Sequence, residues 1–179
     1  GGRAYVVCPR IEPEEGQASV VEIAAQLRAD PALAGIGIGV IHGQMSQEEK
    51  SVAMEDFGAG RAPILVSTTV IEVGVDVREA TLMVIMDADR FGLSQLHQLR
   101  GRVGRGRERA YAYFLYPPEK AMTETAVARL RTISSHTQLG SGIQVAMKDL
   151  EIRGAGNLLG GEQSGHIAGV GFDLYVRMI

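Results

Sequence analysis

Residues 64–77 read ILVSTTVIEVGVDV. The first four, Ile64 to Ser67, form an apolar run that predicts a short buried strand. Polar groups follow at once: Thr68, Thr69, Glu72 and Asp76, with Gly74 between them. The carboxyl edge of a parallel strand is where open α/β sheets take ligands. Hydroxyls and a carboxylate there suit a nucleotide ribose or a nucleic-acid backbone. By itself the stretch reads equally well as a plain strand-to-helix turn.

Working outward, strands and helices alternate. Arg3–Pro9 predicts a buried strand, and Ser19–Ala29 a helix with apolar positions at Val20, Ile23, Ala24 and Leu27, stopped by Asp30-Pro31. Ile36–Ile41 is a β-branched strand. Ser46-Gln47-Glu48-Glu49 has the pattern of a capping box, opening a helix that runs to Phe57 before Gly58 and Gly60. Thr81–Met86 and Ala110–Tyr116 predict two further strands, the latter stopped by Pro117-Pro118, with a helix over Leu93–Val103 between them. This order predicts an α/β domain with a mostly parallel sheet and helices on both faces. After Pro118 the pattern turns helical: Glu124–Thr137 and Ile143–Ile152 predict a helical hairpin. Arg153–Gly171 reads as an ordered Gly-rich loop. The expected domains are therefore 1–118 and 119–179.

Residues 95–105 read QLHQLRGRVGR. On a continuous helix, Gln95, Gln98, Arg102 and Arg105 would share one face, and Leu96, Leu99 and Val103 the opposite one. Gly101 and Gly104 cost roughly 1 kcal/mol each in a helix, so a plain solvated surface helix explains them poorly. Their lack of side chains leaves room for a phosphate beside the arginines.

Net charge is −3 over 179 residues, but the halves differ. Residues 1–89 carry 6 basic and 14 acidic side chains; residues 90–179 carry 12 and 7. Five arginines fall within 100–109, and arginine suits bidentate phosphate contacts. Gly numbers 23, about twice the usual ~7%, without a repeat, which signals tight turns. Cys8 is the single cysteine, so an internal disulfide is excluded, and no zinc-ligand spacing occurs. No apolar run approaches the ~20 residues of a membrane span; the expectation is a soluble cytoplasmic protein with no membrane association. None of the lysines, Lys50, Lys120 and Lys148, follows a glycine, so no G-x-x-x-x-G-K-[ST] loop is present. An acidic Mg²⁺ box is missing too. Neither Gly35–Gly39 nor Gly154-Ala155-Gly156 has the strand-before-helix setting of a dinucleotide fingerprint.

These motifs carry a resemblance. QLRGRVGR at 98–105 resembles motif VI of superfamily 2 helicases, ILVSTTVIEVGVDV their motif V, YVVCPRI at 5–11 their motif IV, and HGQM at 42–45 the element between. The resemblance implies a second RecA-like lobe. Residues 1–106 look most like RecG, the branched-DNA helicases. Residues 107–179, with KDLEIRGAGNLLGGEQSGHIAGVGFDLY, look most like Mfd, the transcription-repair coupling factors, and carry the hairpin and loop called the TRG motif. The switch near Arg105–Arg109 fits either a divergent homologue or a chimera joined inside the shared arginine motif.

By this resemblance, Arg105 is the arginine finger on the γ-phosphate of ATP, with Arg102 beside it and Gln98 in support. Gly74 and Asp76 would lie on the ribose side of the cleft, Thr68 and Thr69 near the DNA backbone. Arg153 and Gln163 match positions that couple the hairpin to motif VI. The implied activity is that of an ATP-dependent double-stranded DNA translocase or helicase in DNA repair, active only as part of a two-lobe motor. The implied cofactors are ATP and Mg²⁺, bound mainly by an absent first lobe. The implied partners are double-stranded or branched DNA and that N-terminal RecA-like lobe; RNA polymerase stays an open partner of the full-length protein. Two alternatives stand beside it: a lobe of a superfamily 2 RNA helicase, which leaves the TRG match unexplained, and a non-catalytic nucleic-acid-binding module.

Overall fold

The computed structural model describes residues 2–14, 18–68, 77–119, 121–137 and 141–159. They form two compact units. The first comprises Gly1–Phe91 and Gln98–Glu119, the second Gly92–His97 and Lys120–Ile179.

The first unit is built on five strands: β1 (Arg3–Val7), β2 (Ile38–Ile41), β3 (Ile64–Ser67), β4 (Ala80–Ile85) and β5 (Tyr111–Phe114). All neighbours are parallel, in the order β2-β3-β1-β4-β5. Register fixes two faces. Val6 lies opposite Val66 and Val84, while Tyr5 lies opposite Leu65 and Met83. On the Val6 face, helix α1 (Val20–Ala29) seats Val20 and Ala24 against Val6, Ile38 and Val66. On the Tyr5 face, Tyr5 meets Phe57 of helix α2 (Gln47–Ala59), with ring centroids 4.7 Å apart.

Local signals explain these elements. Ser19 caps α1 by accepting the Glu22 N–H, and the Ser46–Glu49 capping box opens α2 as its sequence predicts. Such caps are worth ~1 kcal/mol each. At the far end of α2, Arg3 donates to the carbonyls of Phe57 at 2.7 Å and Gly58 at 2.8 Å. A cation thus satisfies orphan carbonyls where the helix dipole is negative, and the first residue of β1 fixes α2 in place. Gly37 is required by close approach: a Cβ there would lie 2.1 Å from the Arg61 carbonyl oxygen.

Helix α3 (Leu93–Arg100) is shorter than its periodicity predicts. Leu93, Leu96 and Leu99 are buried, but the helix ends before Gly101, and residues 101–103 form turns and a bend. Gly101 and Gly104 lower helix propensity enough for the chain to leave. In the second unit, α4 (Glu124–Ser135), capped by Thr123, packs on α5 (Gly142–Leu159). Helix α5 runs beyond the expected Ile152, so Arg153 stands on a helix rather than in a loop. The remainder of the expected Gly-rich loop, from Gly160, lies outside the described residues. Among the described residues no helix is long and apolar enough to cross a membrane.

Candidate functional site

The arginine turn between α3 and β5 starts from a pinned backbone. Arg102 N–H donates to the Leu99 carbonyl at 3.0 Å, and Gly104 N–H to the Ala80 carbonyl at 3.1 Å. Gly104 has φ +78°, in the left-handed region that glycine enters without strain. A Cβ on Gly106 would lie 2.7 Å from the Arg78 carbonyl oxygen. Two glycines thus let the turn lie against residues 78–80, where β4 begins. Within it, Arg105 is exposed and its Nε donates to the Gly101 carbonyl at 2.9 Å. Arg102 is half-buried, and Gln98 is exposed on α3. The common helical face expected for Gln98, Arg102 and Arg105 is therefore not formed: only Gln98 is helical, and the turn sets both arginines. Arg100, the last residue of α3, is partly buried, and burial pushes its pKa down.

This turn sits at the amino edge of the sheet. Thr68, also singled out by the sequence, sits at the carboxyl edge, a β4 length or ~20 Å away for its six residues. There Thr68 follows β3 and is buried, and among the described residues neither its hydroxyl nor that of Ser67 has a hydrogen-bond partner. His42 follows β2, which pairs with β3 through Ile41 and Ser67, and its Nδ1 likewise has no partner among the described residues. Three unsatisfied groups on two adjacent strand ends are costly unless something meets them. Thr69, Gly74, Asp76 and Gln163 lie outside the described residues. Arg153 is exposed on α5 and pairs with Asp149 at 3.1 Å.

Sequence reasoning missed Asp87. Connections leave β1 and β4 in opposite directions across the sheet, so the usual ligand crevice of an open α/β fold falls between these two strands. Here it is bridged: Asp87, just after β4, accepts the Ala18 N–H at 2.7 Å from the segment that follows β1. Asp87 holds φ +49° and is buried. Cys8 lies beside it, its thiol pushed up to about 12, first by burial and second by the Asp87 charge. The available signal was a carboxylate directly after a buried strand, the same signal that picked out Thr68. Elsewhere in this unit, a cavity of about 560 Å³ between β2 and α2 is lined by Glu48, Glu49 and Asp56, an acidic lining unsuited to a phosphate. Among the described residues no cluster of three His, Cys, Asp or Glu side chains could hold a metal.

Comparison with known proteins adds a second line of observation. Residues 1–107 match the family model described as helicase conserved C-terminal domain. A transcription-repair-coupling factor of Mycobacterium bovis is 51% identical over 179 residues, covering 99% of this chain and 14% of the relative. One from Staphylococcus aureus is 57% identical over 142 residues, covering 79% and 12%. The chain thus spans about one seventh of the curated relatives it matches. The mycobacterial alignment covers both stretches that the sequence motifs tie to separate sister groups. Among solved structures, the Escherichia coli DEAD-box protein SrmB superposes with TM-score 0.52 at 29% identity, over 64% of this chain and 61% of that one. The yeast DEAD-box splicing factor Prp28 superposes with TM-score 0.58 at 17% identity, over 75% and 27%.

Proposed function

The chain belongs to the helicase C-terminal domain family, and from that premise we propose that it is the second motor lobe of an ATP-dependent double-stranded DNA translocase of the transcription-repair-coupling type. In this reading residues 1–118 form the lobe and 119–179 a TRG element that couples it to DNA. The observation that carries the reading is the pinned arginine turn. Gly104 and Gly106 hold its backbone against residues 78–80, and it presents Arg105 with Arg102 nearby in sequence.

The donor chemistry fits a phosphate: guanidinium groups offer planar, permanently charged forks. Arg105 and Arg102 would meet the terminal phosphate, with Gln98 in support and Gly74 and Asp76 toward the ribose. When bound, ATP supplies the phosphoryl group that is transferred to water, with Mg²⁺ held mainly by the first lobe. Arg105 contributes positive charge where negative charge develops, which is the role of an arginine finger. Opening and closing of the cleft between lobes then becomes a step along DNA. Thr68 lies at the opposite edge, and its hydroxyl, without a partner among the described residues, supports contact of Thr68 and Thr69 with a DNA backbone.

RNA polymerase enters this proposal as a partner of the longer protein, through the relatives named for coupling transcription to repair. Identities of 51% and 57% to those relatives, against 29% to a DEAD-box structure, favour this reading over an RNA-helicase lobe. The test is ATP hydrolysis with and without duplex DNA. The full-length protein hydrolyses ATP and is stimulated by DNA, whereas the purified 179 residues alone do neither. Hydrolysis by the 179 residues alone would contradict the proposal.

A further inference from the structure

A helix that ends leaves carbonyls without intrahelical partners. Helix α3 ends at Arg100, and the carbonyls of its last turn are met one after another. Arg102 N–H donates to the Leu99 carbonyl at 3.0 Å, and Val103 N–H to the Arg100 carbonyl at 3.4 Å. The Gly101 carbonyl is met by a side chain: Arg105 Nε donates to it at 2.9 Å. In a continued helix the donor to that carbonyl would be the backbone N–H of the same residue, Arg105. Once the chain has left the helix, Arg105 makes the bond with its guanidinium instead.

Arg105 is thereby held at both ends. Its backbone lies between Gly104, which is bonded to Ala80, and Gly106, which packs on the Arg78 carbonyl. Its side chain is tied at Nε to the end of α3, where the helix dipole is negative and favours a cation. Leu99, two residues before Gly101, is buried, so the acceptor stands on an anchored helix end. A guanidinium is a rigid planar set of N–H donors, with Nη1 and Nη2 forming a fork beyond Nε. With Nε on the carbonyl, the plane of that fork is set before any ligand arrives.

We infer that the Gly101 carbonyl is a positioning group: it holds Arg105 by Nε so that Nη1 and Nη2 are presented to the terminal phosphate of the nucleotide. The inference rests on the proposed role of Arg105 at that phosphate and adds what aims it. A side chain ordered in advance loses little rotamer freedom when the phosphate arrives. Its charge also needs no reorganisation as negative charge develops. The same arrangement decides which cation the position accepts. A lysine ammonium is a compact point charge on a flexible stem. Drawn to the carbonyl it stops short of the phosphate, and drawn to the phosphate it gives up the carbonyl. Arginine alone has separate donors for both.

The test compares Arg105→Lys with Arg105→Ala in the full-length protein, each first shown to keep the wild-type Tm and duplex-DNA binding. Arg105→Lys should lose kcat to within about tenfold of Arg105→Ala, with KM for ATP near the wild-type value. Added guanidinium ion should recover part of the Arg105→Ala loss, because the carbonyl still offers a seat, whereas methylammonium at the same concentration should not. Wild-type protein on duplex DNA with ADP and aluminium fluoride, imaged by cryo-electron microscopy, should keep Nε on the Gly101 carbonyl while Nη1 and Nη2 meet the fluoride. That image decides the matter if a variant fails to fold. Near-wild-type kcat in Arg105→Lys, no recovery with guanidinium, equal recovery with methylammonium, or an Nε that leaves Gly101 in the fluoride complex would each overturn the inference while leaving Arg105 at the phosphate. Wild-type kcat in Arg105→Ala, or an Arg105 remote from the fluoride, would instead overturn the proposed function on which it rests.

Discussion

Gly104 N–H donates to the Ala80 carbonyl at 3.1 Å, tying the arginine turn to the first residue of β4. Two residues on, Gly106 passes so close to the Arg78 carbonyl that a methyl group would stand 2.7 Å from it. That atom is backbone and cannot swing aside as a side chain could. Gly106→Ala in the full-length protein should therefore move the turn and lower kcat for ATP, leaving the thermal midpoint close to wild type because the turn is exposed. Measuring kcat and Tm together checks this; an unchanged kcat shows that the turn is not positioned by this contact.

Arg105 and Arg107 are both exposed and two residues apart. The proposed role distinguishes them. Arg105→Ala in the full-length motor should reduce kcat by roughly 10³-fold or more, the scale of an arginine finger. Nucleotide affinity should change far less, because the first lobe makes most phosphate contacts. Arg107→Ala should alter kcat little. Steady-state kinetics on both variants decide the matter, and equal losses would remove Arg105 from the chemistry.

Cys8 is buried beside Asp87, and its thiol is pushed up to about 12. A free cysteine thiol ionises near 8.5. The folded state thus favours the protonated form, a contribution fully present below about 8.5 and lost as pH rises toward the folded value. Alkylation of Cys8 by iodoacetamide at pH 8, read by mass spectrometry, should be negligible in the native protein and complete after denaturation. Asp87→Asn removes the smaller of the two causes, so native Cys8 should stay protected. Ready labelling of that variant would mean that Asp87 and its bond to Ala18 hold the crevice shut.

Arg153 stands on α5 with Asp149 one turn earlier. Arg153 is exposed while the Asp149 side chain is mostly buried; with the guanidinium in solvent the pair is worth about 1 kcal/mol, so Arg153→Ala should lower Tm only slightly. Under the proposed coupling role, Arg153→Ala and Gln163→Ala retain DNA-stimulated ATP hydrolysis in the full-length motor but lose displacement of a triplex-forming strand. Parallel loss of both activities would assign these residues to the chemistry or the fold.

The sequence determined what is local. Ser19 and Ser46 announced their helices because a cap bonds within three or four residues. The strand cores announced themselves because a parallel sheet buried on both faces needs unbroken apolar runs. The QLRGRVGR and ILVSTTVIEVGVDV motifs led to the family that residues 1–107 match. Tertiary structure decided what depends on contacts between distant residues. Periodicity carried α3 through Val103, yet the chain leaves the helix at Gly101, and beyond it Gly104 meets Ala80 and Gly106 meets Arg78. Nothing in the spacing of Gln98, Arg102 and Arg105 encodes those partners some 25 residues earlier. Strand order, too, is absent from a linear pattern. Only the sheet sets Thr68 and the arginine turn at opposite edges and brings Asp87 to Ala18, 69 residues away, because parallel pairing makes neighbours of strands that the sequence keeps apart.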